Sequence, residues 1–251
     1  MLGFPLALVG VAVTAALAAA AVYAGALTSW AGLVAAAFGS VIVDLVGFAY
    51  LALLVLFVVA SVLATRYALE EKQRRNVQEG TKGERGVSNV LAHIVVPTAL
   101  VGSTLLPGLA PPTSALTALY ASALAFGAAD TFASEFGVLQ GRALSILTLR
   151  PVAPGTNGGI SAVGTVWAAV GALTTGVVGY GLFRIFHVAV GPPAGWIALV
   201  ALAGFAACQI DSVLGETLEN RGLLTKGGTN FLAMLSAVAL AAVVLGANGS
   251  L

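Results

Sequence analysis

The chain has 251 residues, of which 59% are hydrophobic and 8% charged, and its mean hydropathy is +1.01. These values lie outside the range of soluble domains and predict an integral membrane protein in contact with the lipid bilayer. With a net charge of +1, we expect no nucleic-acid partner. A single cysteine, Cys208, excludes an intrachain disulfide and a cysteine metal cluster.

Apolar runs long enough to cross a bilayer recur along the chain, and a span needs roughly 20 such residues. They lie at about 4–26, 28–43, 45–65, 89–109, 115–135, 160–183, 193–210 and 229–247. We therefore predict an all-α, polytopic membrane protein with about seven spans in a single transmembrane domain over residues 1–251. An eighth span, Thr28 to Ile42, is short and contains two glycines, so it is either a crossing or a re-entrant piece.

The start of the chain and its glycines lead to two further expectations. No basic segment precedes the apolar stretch from Met1 to Ala26, so we expect a retained first span rather than a cleaved signal peptide. The 31 glycines predict helices whose backbones approach closely, because close packing drives association between helices in lipid.

Basic residues concentrate in three polar loops, at about 66–88, 136–159 and 215–228, which hold ten of the eleven lysines and arginines. Two spans separate each loop from the next, so all three emerge on the same side of the membrane. The excess of positive charge predicts that this side is cytoplasmic, with the C-terminal tail outside. We expect a multi-pass protein of the cell membrane.

Two acidic motifs end apolar runs on the predicted cytoplasmic side. The segment Asp130 to Glu135 reads DTFASE, and the segment Asp211 to Glu216 reads DSVLGE. Each is followed by a Gly-Thr-Asn cluster, in PGTNGG (154–159) and in KGGTN (226–230). These matches predict a weak internal repeat with a shared site between its halves. Acids at membrane depth are costly and indicate function, although helix-end residues that meet water are the alternative.

The Gly-Thr-Asn segments precede predicted spans and suggest an anion site. Backbone N–H groups at a helix N-terminus favour phosphate, and basic side chains nearby would neutralise it. A tight turn is an equally good interpretation of PGTNGG. Carboxylates together with phosphate are the ligands that Mg²⁺ prefers, so the motifs predict magnesium-assisted chemistry on a lipid phosphate. The chain contains no P-loop and no Rossmann fingerprint.

The motifs AADTFASEFG, VAPGTNGGISAVGT and DSVLGETLE, preceded by KGERG, resemble a family of integral membrane proteins. That DUF92-type family includes transmembrane protein 19 and the plant phytyl-phosphate kinase, and the resemblance covers nearly the whole chain. Two positions depart from the family pattern: Phe132 replaces a tryptophan, and Glu216 stands where the family tends to have alanine.

The resemblance implies an isoprenyl-monophosphate kinase that makes a diphosphate from phytyl or geranylgeranyl phosphate, with CTP or another nucleoside triphosphate as donor. Such a reaction needs positioning and charge neutralisation rather than a strong base. The predicted catalytic residues and Mg²⁺ ligands are Asp130, Glu135 and Asp211. The nucleotide and phosphates are expected to bind Gly155, Thr156, Asn157, Gly158, Gly159, Ser134, Ser212 and Asn230. Arg142, Arg150 and Lys226 are predicted to stabilise charge, with Arg150 also catalytic, and Arg85 and Asn89 are expected to assist.

Two other functions use the same residues. A cytidylyltransferase would join CTP to a lipid phosphate with similar carboxylates and Mg²⁺. A transporter of phosphorylated lipid is compatible with the repeat and the intramembrane acids, although transporter sites usually lie at the midplane of the bilayer. The prenyl chain length, the nucleotide base and the oligomeric state have no signature in the sequence.

Overall fold

The computed structural model describes the backbone of residues 4–251 and the side chains of residues 7–251. Within that range it is a helical bundle, as predicted, with three short strands that the sequence analysis did not predict. The helices are α1 (Phe4–Tyr23), α2 (Ser29–Val46), α3 (Phe48–Arg66), α4 (Leu69–Arg74), α5 (Val87–Gly102), α6 (Thr113–Gly137), α7 (Ala162–Ile185), α8 (Pro193–Leu214) and α9 (Lys226–Ala247). A π-helical turn, Gly215–Glu219, extends α8, and 3₁₀ turns at Ser103–Leu105 and Val138–Gln140 follow α5 and α6.

Seven helices of the described chain are long and apolar enough to cross a membrane, namely α2, α3, α5, α6, α7, α8 and α9. Helix α1 adds a shorter apolar stretch, Ala7–Tyr23, that packs along α2. The uncertain second run is a continuous helix of 18 residues. Its N-terminus is fixed where the Thr28 N–H donates to the Arg85 carbonyl at 3.1 Å, and its other end joins α3 through Gly47.

The opposite end of the bundle can be recognised at Tyr50, near the start of α3. Its ring packs against Phe183, near the end of α7, with ring centroids 4.9 Å apart. Helix α2 therefore runs the full height of the bundle, and the re-entrant interpretation of 28–42 is wrong.

The three polar loops meet at one end of the bundle, which we call the loop face, together with residues 24–28. Their contacts include a hydrogen bond from the Asn220 side chain to the Asn157 carbonyl at 3.2 Å. The loop after α6 contains a small antiparallel sheet of β1 (Ala143–Ser145), β2 (Pro151–Val152) and β3 (Gly159–Ile160), in the order β2-β1-β3. The prediction that the three loops lie on the same side is therefore confirmed.

Helix α6 is the centre of the bundle, and every residue from Ala115 to Ala129 is buried. Glycines let neighbouring helices reach its backbone. A Cβ on Gly171 of α7 would lie 2.7 Å from the Ala128 carbonyl oxygen, too close for a real contact. The close packing expected from the glycine content is therefore present.

Candidate functional site

A cavity of about 390 Å³ opens at the loop face between α6, α7, α8, α9 and the loops. Helix α6 continues without a break to Gly137, so its acidic residues are helical and reach the cavity from the bundle core. The cavity brings together most of the predicted site residues: Asp130, Ser134, Glu135, Gly155, Thr156, Asn157, Gly158, Gly159, Asp211, Ser212, Lys226 and Asn230. The two acidic motifs, distant in sequence, therefore share one site.

Asp130 on α6 and Asp211 on α8 are two carboxylates of this cavity that have few partners in the protein. The Asn230 side-chain amide donates to Asp130 Oδ2 at 3.5 Å, the long limit of a hydrogen bond. Asp211 Oδ1 is buried and has no hydrogen-bond partner among residues 7–251. Neither carboxylate forms a salt bridge in the described part of the chain. Buried anionic oxygen without a partner is costly, so both groups favour a cation between or beside them.

A magnesium ion fits these donors, although not as a site made of protein alone. Among the described residues, no group of three or more histidine, cysteine, aspartate and glutamate side chains is placed to hold a metal. Mg²⁺ is usually bound through one or two carboxylates, with water and substrate phosphates completing its shell. Asp130 and Asp211 provide the two carboxylates, and Ser134 and Ser212 line the same cavity.

Glu135 has a different environment from its neighbour Asp130, because it forms a buried ion pair with Lys72 of α4. Lys72 Nζ lies 2.6 Å from Glu135 Oε2, and the Thr65 hydroxyl donates to Glu135 Oε1 at 2.8 Å. The other two hydrogen bonds of Lys72 Nζ go to the carbonyls of Ala64 and Thr65. Both oxygens of Glu135 are occupied, so the structure gives no support to its predicted role as a magnesium ligand.

Lys226 is paired as well, with Glu79 of the first polar loop. Its ammonium group lies 3.0 Å from Glu79 Oε2, and the Asn89 amide donates to Glu79 Oε1 at 3.3 Å. Burial raises the pKa of Glu79, but Lys226 and Arg85 more than offset this and keep it below its usual value. A phosphate that approached Lys226 would compete with this carboxylate.

The predicted glycine loop, residues 155–159, forms one wall of the cavity. Gly155 and Gly158 have φ values of +84° and +79°, which favour glycine. A Cβ on Gly158 would lie 2.4 Å from the Glu216 Cβ, so this residue lets the loop sit against α8. The backbone N–H groups of Asn157 and Gly158 make no hydrogen bond within residues 4–251. The loop is thus a tight turn that also leaves amide donors for an anion.

The second Gly-Thr-Asn cluster is not a loop. Helix α9 begins at Lys226, earlier than predicted, and the Thr225 hydroxyl caps it by accepting a hydrogen bond from the Gly228 N–H at 3.2 Å. The two clusters of the suggested repeat therefore differ in conformation, although Asn230 still reaches the cavity. The repeat holds for the positions of the acidic motifs and not for the segments that follow them.

The family of the chain follows from the comparison of its sequence with known families. The model of the integral membrane protein family DUF92 matches residues 12–246. This chain belongs to the DUF92 family.

Relatives of this DUF92 chain occur in three very different organisms. An uncharacterized membrane protein of Methanocaldococcus jannaschii is 30% identical over 207 residues, covering 78% of this chain and 76% of the relative. An uncharacterized membrane protein of Synechocystis is 34% identical, covering 68% and 64%. Protein PGR of Arabidopsis thaliana is 31% identical, covering 70% and 66%. The match thus spans just under two thirds of the last two relatives. No solved structure matches.

Glu216, at a position where this DUF92 chain departs from the pattern expected of its family, has a structural role. Its Oε1 accepts a hydrogen bond from the Ser145 hydroxyl at 2.6 Å, and its Oε2 accepts one from the Leu147 N–H at 3.3 Å. It therefore attaches the loop containing the short sheet to the π-helical turn. Both oxygens of its carboxylate are therefore occupied by hydrogen bonds within the protein.

Arg142 and Arg150 are exposed and do not line the cavity. Their predicted part in charge stabilisation gains no support from the structure. In their place the cavity wall contains Glu79 and Glu219, which sequence reasoning did not select. Glu79 had no signal beyond its place just ahead of the KGERG segment, and Lys72 looked like one of several solvated basic residues in a charged loop. The DUF92 site is consequently more acidic than predicted, which strengthens the case for a bound cation.

Proposed function

We propose that this DUF92 protein is a Mg²⁺-dependent isoprenyl-monophosphate kinase that uses a nucleoside triphosphate, CTP by family resemblance, as donor. The observation that carries the proposal is that Asp130 and Asp211, both without a cationic partner, share a cavity with the glycine loop. A divalent cation bound by two carboxylates, beside free backbone amides, is a suitable arrangement for a triphosphate.

The reaction balances without an acid or a base. A phosphate oxygen of the lipid attacks the γ-phosphorus of the triphosphate, the bond from that phosphorus to the bridging oxygen breaks, and the nucleoside diphosphate leaves. When bound, Mg²⁺ supplies neutralisation of the phosphate charge that builds up in this transfer. The protein contributes position: Asp130 and Asp211 hold the cation, with Asn230 orienting Asp130.

The remaining cavity residues bind the phosphates in this proposal. The amides of Asn157 and Gly158 donate to phosphate oxygens, and Ser134 of α6 and Ser212 of α8 contribute hydroxyl groups from the same cavity. Lys226 exchanges Glu79 for a phosphate and stabilises the transferred group. In this proposal the loop face is cytoplasmic, as the positive-inside bias of its basic loops predicts, so soluble nucleotide would reach the cavity while the lipid stays in the membrane.

The test is a product analysis with the purified full chain in detergent. Geranylgeranyl or phytyl monophosphate is incubated with Mg²⁺ and each nucleoside triphosphate in turn, and products are resolved by mass spectrometry. Asp130→Asn is the inactive variant, and Asp44→Asn, an acid on α2 that does not line the cavity, is its matched control.

We expect the lipid diphosphate from the wild type and from Asp44→Asn, and none from Asp130→Asn. A product heavier by CMP would replace the kinase with a cytidylyltransferase. No turnover with any donor, in protein shown to be folded, would overturn an enzymatic function and lead to lipid-phosphate flux measurements in liposomes.

A further inference from the structure

A second cavity, of about 330 Å³, lies between α1, α2, α3 and α5, apart from the acidic one. Its walls are almost entirely aliphatic, and three of its lining residues, Leu17, Val59 and Leu63, are 40–65% exposed on the side of the bundle. These are faces of apolar helices, so the cavity opens sideways into the hydrocarbon of a bilayer. Its volume is within the range of roughly 300–1,000 Å³ that small-molecule sites occupy.

The polar residues of this cavity other than Thr14 lie toward the loop face, and three of them have unused hydrogen-bonding atoms. Ser61 Oγ, Arg85 Nε and His93 Nε2 are buried and have no hydrogen-bond partner among the described residues. His93 Nδ1 lies 2.9 Å from the Asn89 carbonyl, which only accepts, so Nδ1 carries the proton and Nε2 is left as an acceptor. Unpaired buried polar atoms are costly, and three of them on residues that line one cavity indicate a polar ligand.

Arg85 determines the charge of that ligand. Its Nη1 donates to Asn89 Oδ1 at 3.3 Å and its Nη2 to the Thr65 hydroxyl at 3.1 Å, so the guanidinium is fixed in orientation while Nε remains available. No carboxylate lies within salt-bridge distance of Arg85 in the described chain. A buried guanidinium without an ion-pair partner favours an anion, and a phosphate is well matched to its planar set of donors.

We propose that the second cavity holds the hydrocarbon chain of an isoprenyl monophosphate, with the phosphate at Arg85 and Ser61. This inference rests on the proposed function and names the acceptor site for it. Asn89 links the two cavities, since it contacts both Arg85 and Glu79, and Glu79 lines the acidic cavity. The acceptor phosphate would therefore lie next to the acidic cavity, where the triphosphate is proposed to bind.

The experiment measures lipid binding in the absence of nucleotide and Mg²⁺. Radiolabelled geranylgeranyl monophosphate is equilibrated with the purified full chain in detergent, and competition is measured with geranylgeraniol, inorganic phosphate and phosphatidylglycerol. Val55→Trp fills the cavity from α3, and Leu56→Trp, next in the same helix and outside the lining, is the matched control. Ala35→Phe fills the cavity from α2 and serves if Val55→Trp does not fold.

We expect Val55→Trp to raise Kd about tenfold or more, which corresponds to about 1.4 kcal/mol, and Leu56→Trp to leave it unchanged. Arg85→Lys keeps the positive charge but loses the Nε donor. It should therefore weaken binding of the prenyl phosphate and leave binding of the prenyl alcohol unchanged. Unchanged Kd in both filled variants, or equal competition by phosphatidylglycerol, would overturn the proposed acceptor site.

The acceptor site and the kinase can fail separately. Binding that Val55→Trp abolishes, in a protein with no turnover, would support the site and contradict the kinase. Turnover with an unchanged KM for the lipid in both filled variants would support the kinase and contradict the site.

Discussion

Glu135 Oε2 and Lys72 Nζ lie 2.6 Å apart in a region where Lys72 is fully buried, and Thr65 and Arg85 extend this pair into a network beneath the loop face. The pair attaches the first polar loop to the central helix. Removal of one partner from a buried pair typically costs about 3–5 kcal/mol, because the other charge is left without compensation.

We therefore expect Lys72→Met and Glu135→Gln each to lower the free energy of unfolding by about 3 kcal/mol, and the double variant to be less destabilised than the sum of the two. Denaturant unfolding in a mild detergent gives the four values of this double-mutant cycle. Additive losses would show that the two side chains act independently.

Magnesium binding should depend on Asp130 and Asp211 and not on Glu135. We expect Asp211→Asn to weaken Mg²⁺ binding at least tenfold. The stability of this variant without metal should equal or exceed that of the wild type, because an unpaired buried carboxylate is removed. The measurement is the shift in Tm on Mg²⁺ addition, with Asp44→Asn as control. An Asp211→Asn protein that keeps the full Mg²⁺ shift would rule out this residue as a ligand.

The glycine loop should be sensitive to a single methyl group at Gly158. Gly158→Ala meets both a positive φ and the side chain of Glu216, whereas Gly108→Ala, at a φ of +78°, has nothing within 4 Å. Strain alone costs about 1–2 kcal/mol, so we expect a larger loss of stability and nucleotide binding in Gly158→Ala than in Gly108→Ala. Equal effects on both, measured by unfolding and by nucleotide titration, would show that the contact with α8 is unimportant.

The Glu79–Lys226 pair predicts how stability depends on pH. The folded pKa of Glu79 is lowered, so its contribution is complete above the usual carboxyl pKa of about 4.3 and is lost as pH falls through the folded value. The difference in unfolding free energy between wild type and Glu79→Gln should shrink below about pH 4. The check is denaturant unfolding at a series of pH values, and a constant difference would contradict the pair.

The spans and the acidic motifs could be predicted because their signals are local. A run of about 20 apolar residues needs no partner to be recognised, and Asp130 and Asp211 stood out because acids at that depth are rare. The separate functions of Asp130 and Glu135 could not be predicted, since the partner of Glu135 is 63 residues away in sequence. The same holds for Arg150, which was selected for its charge but is exposed in the fold.

The sequence by itself determined that the protein is a helical membrane protein with its basic loops on one side, because hydropathy and charge act segment by segment. Only the tertiary structure decided which charges are already paired. Pairing depends on distances between helices far apart in the chain, and it left Asp130 and Asp211 facing one cavity while it occupied Glu135, Glu216 and Lys226 with partners from the protein.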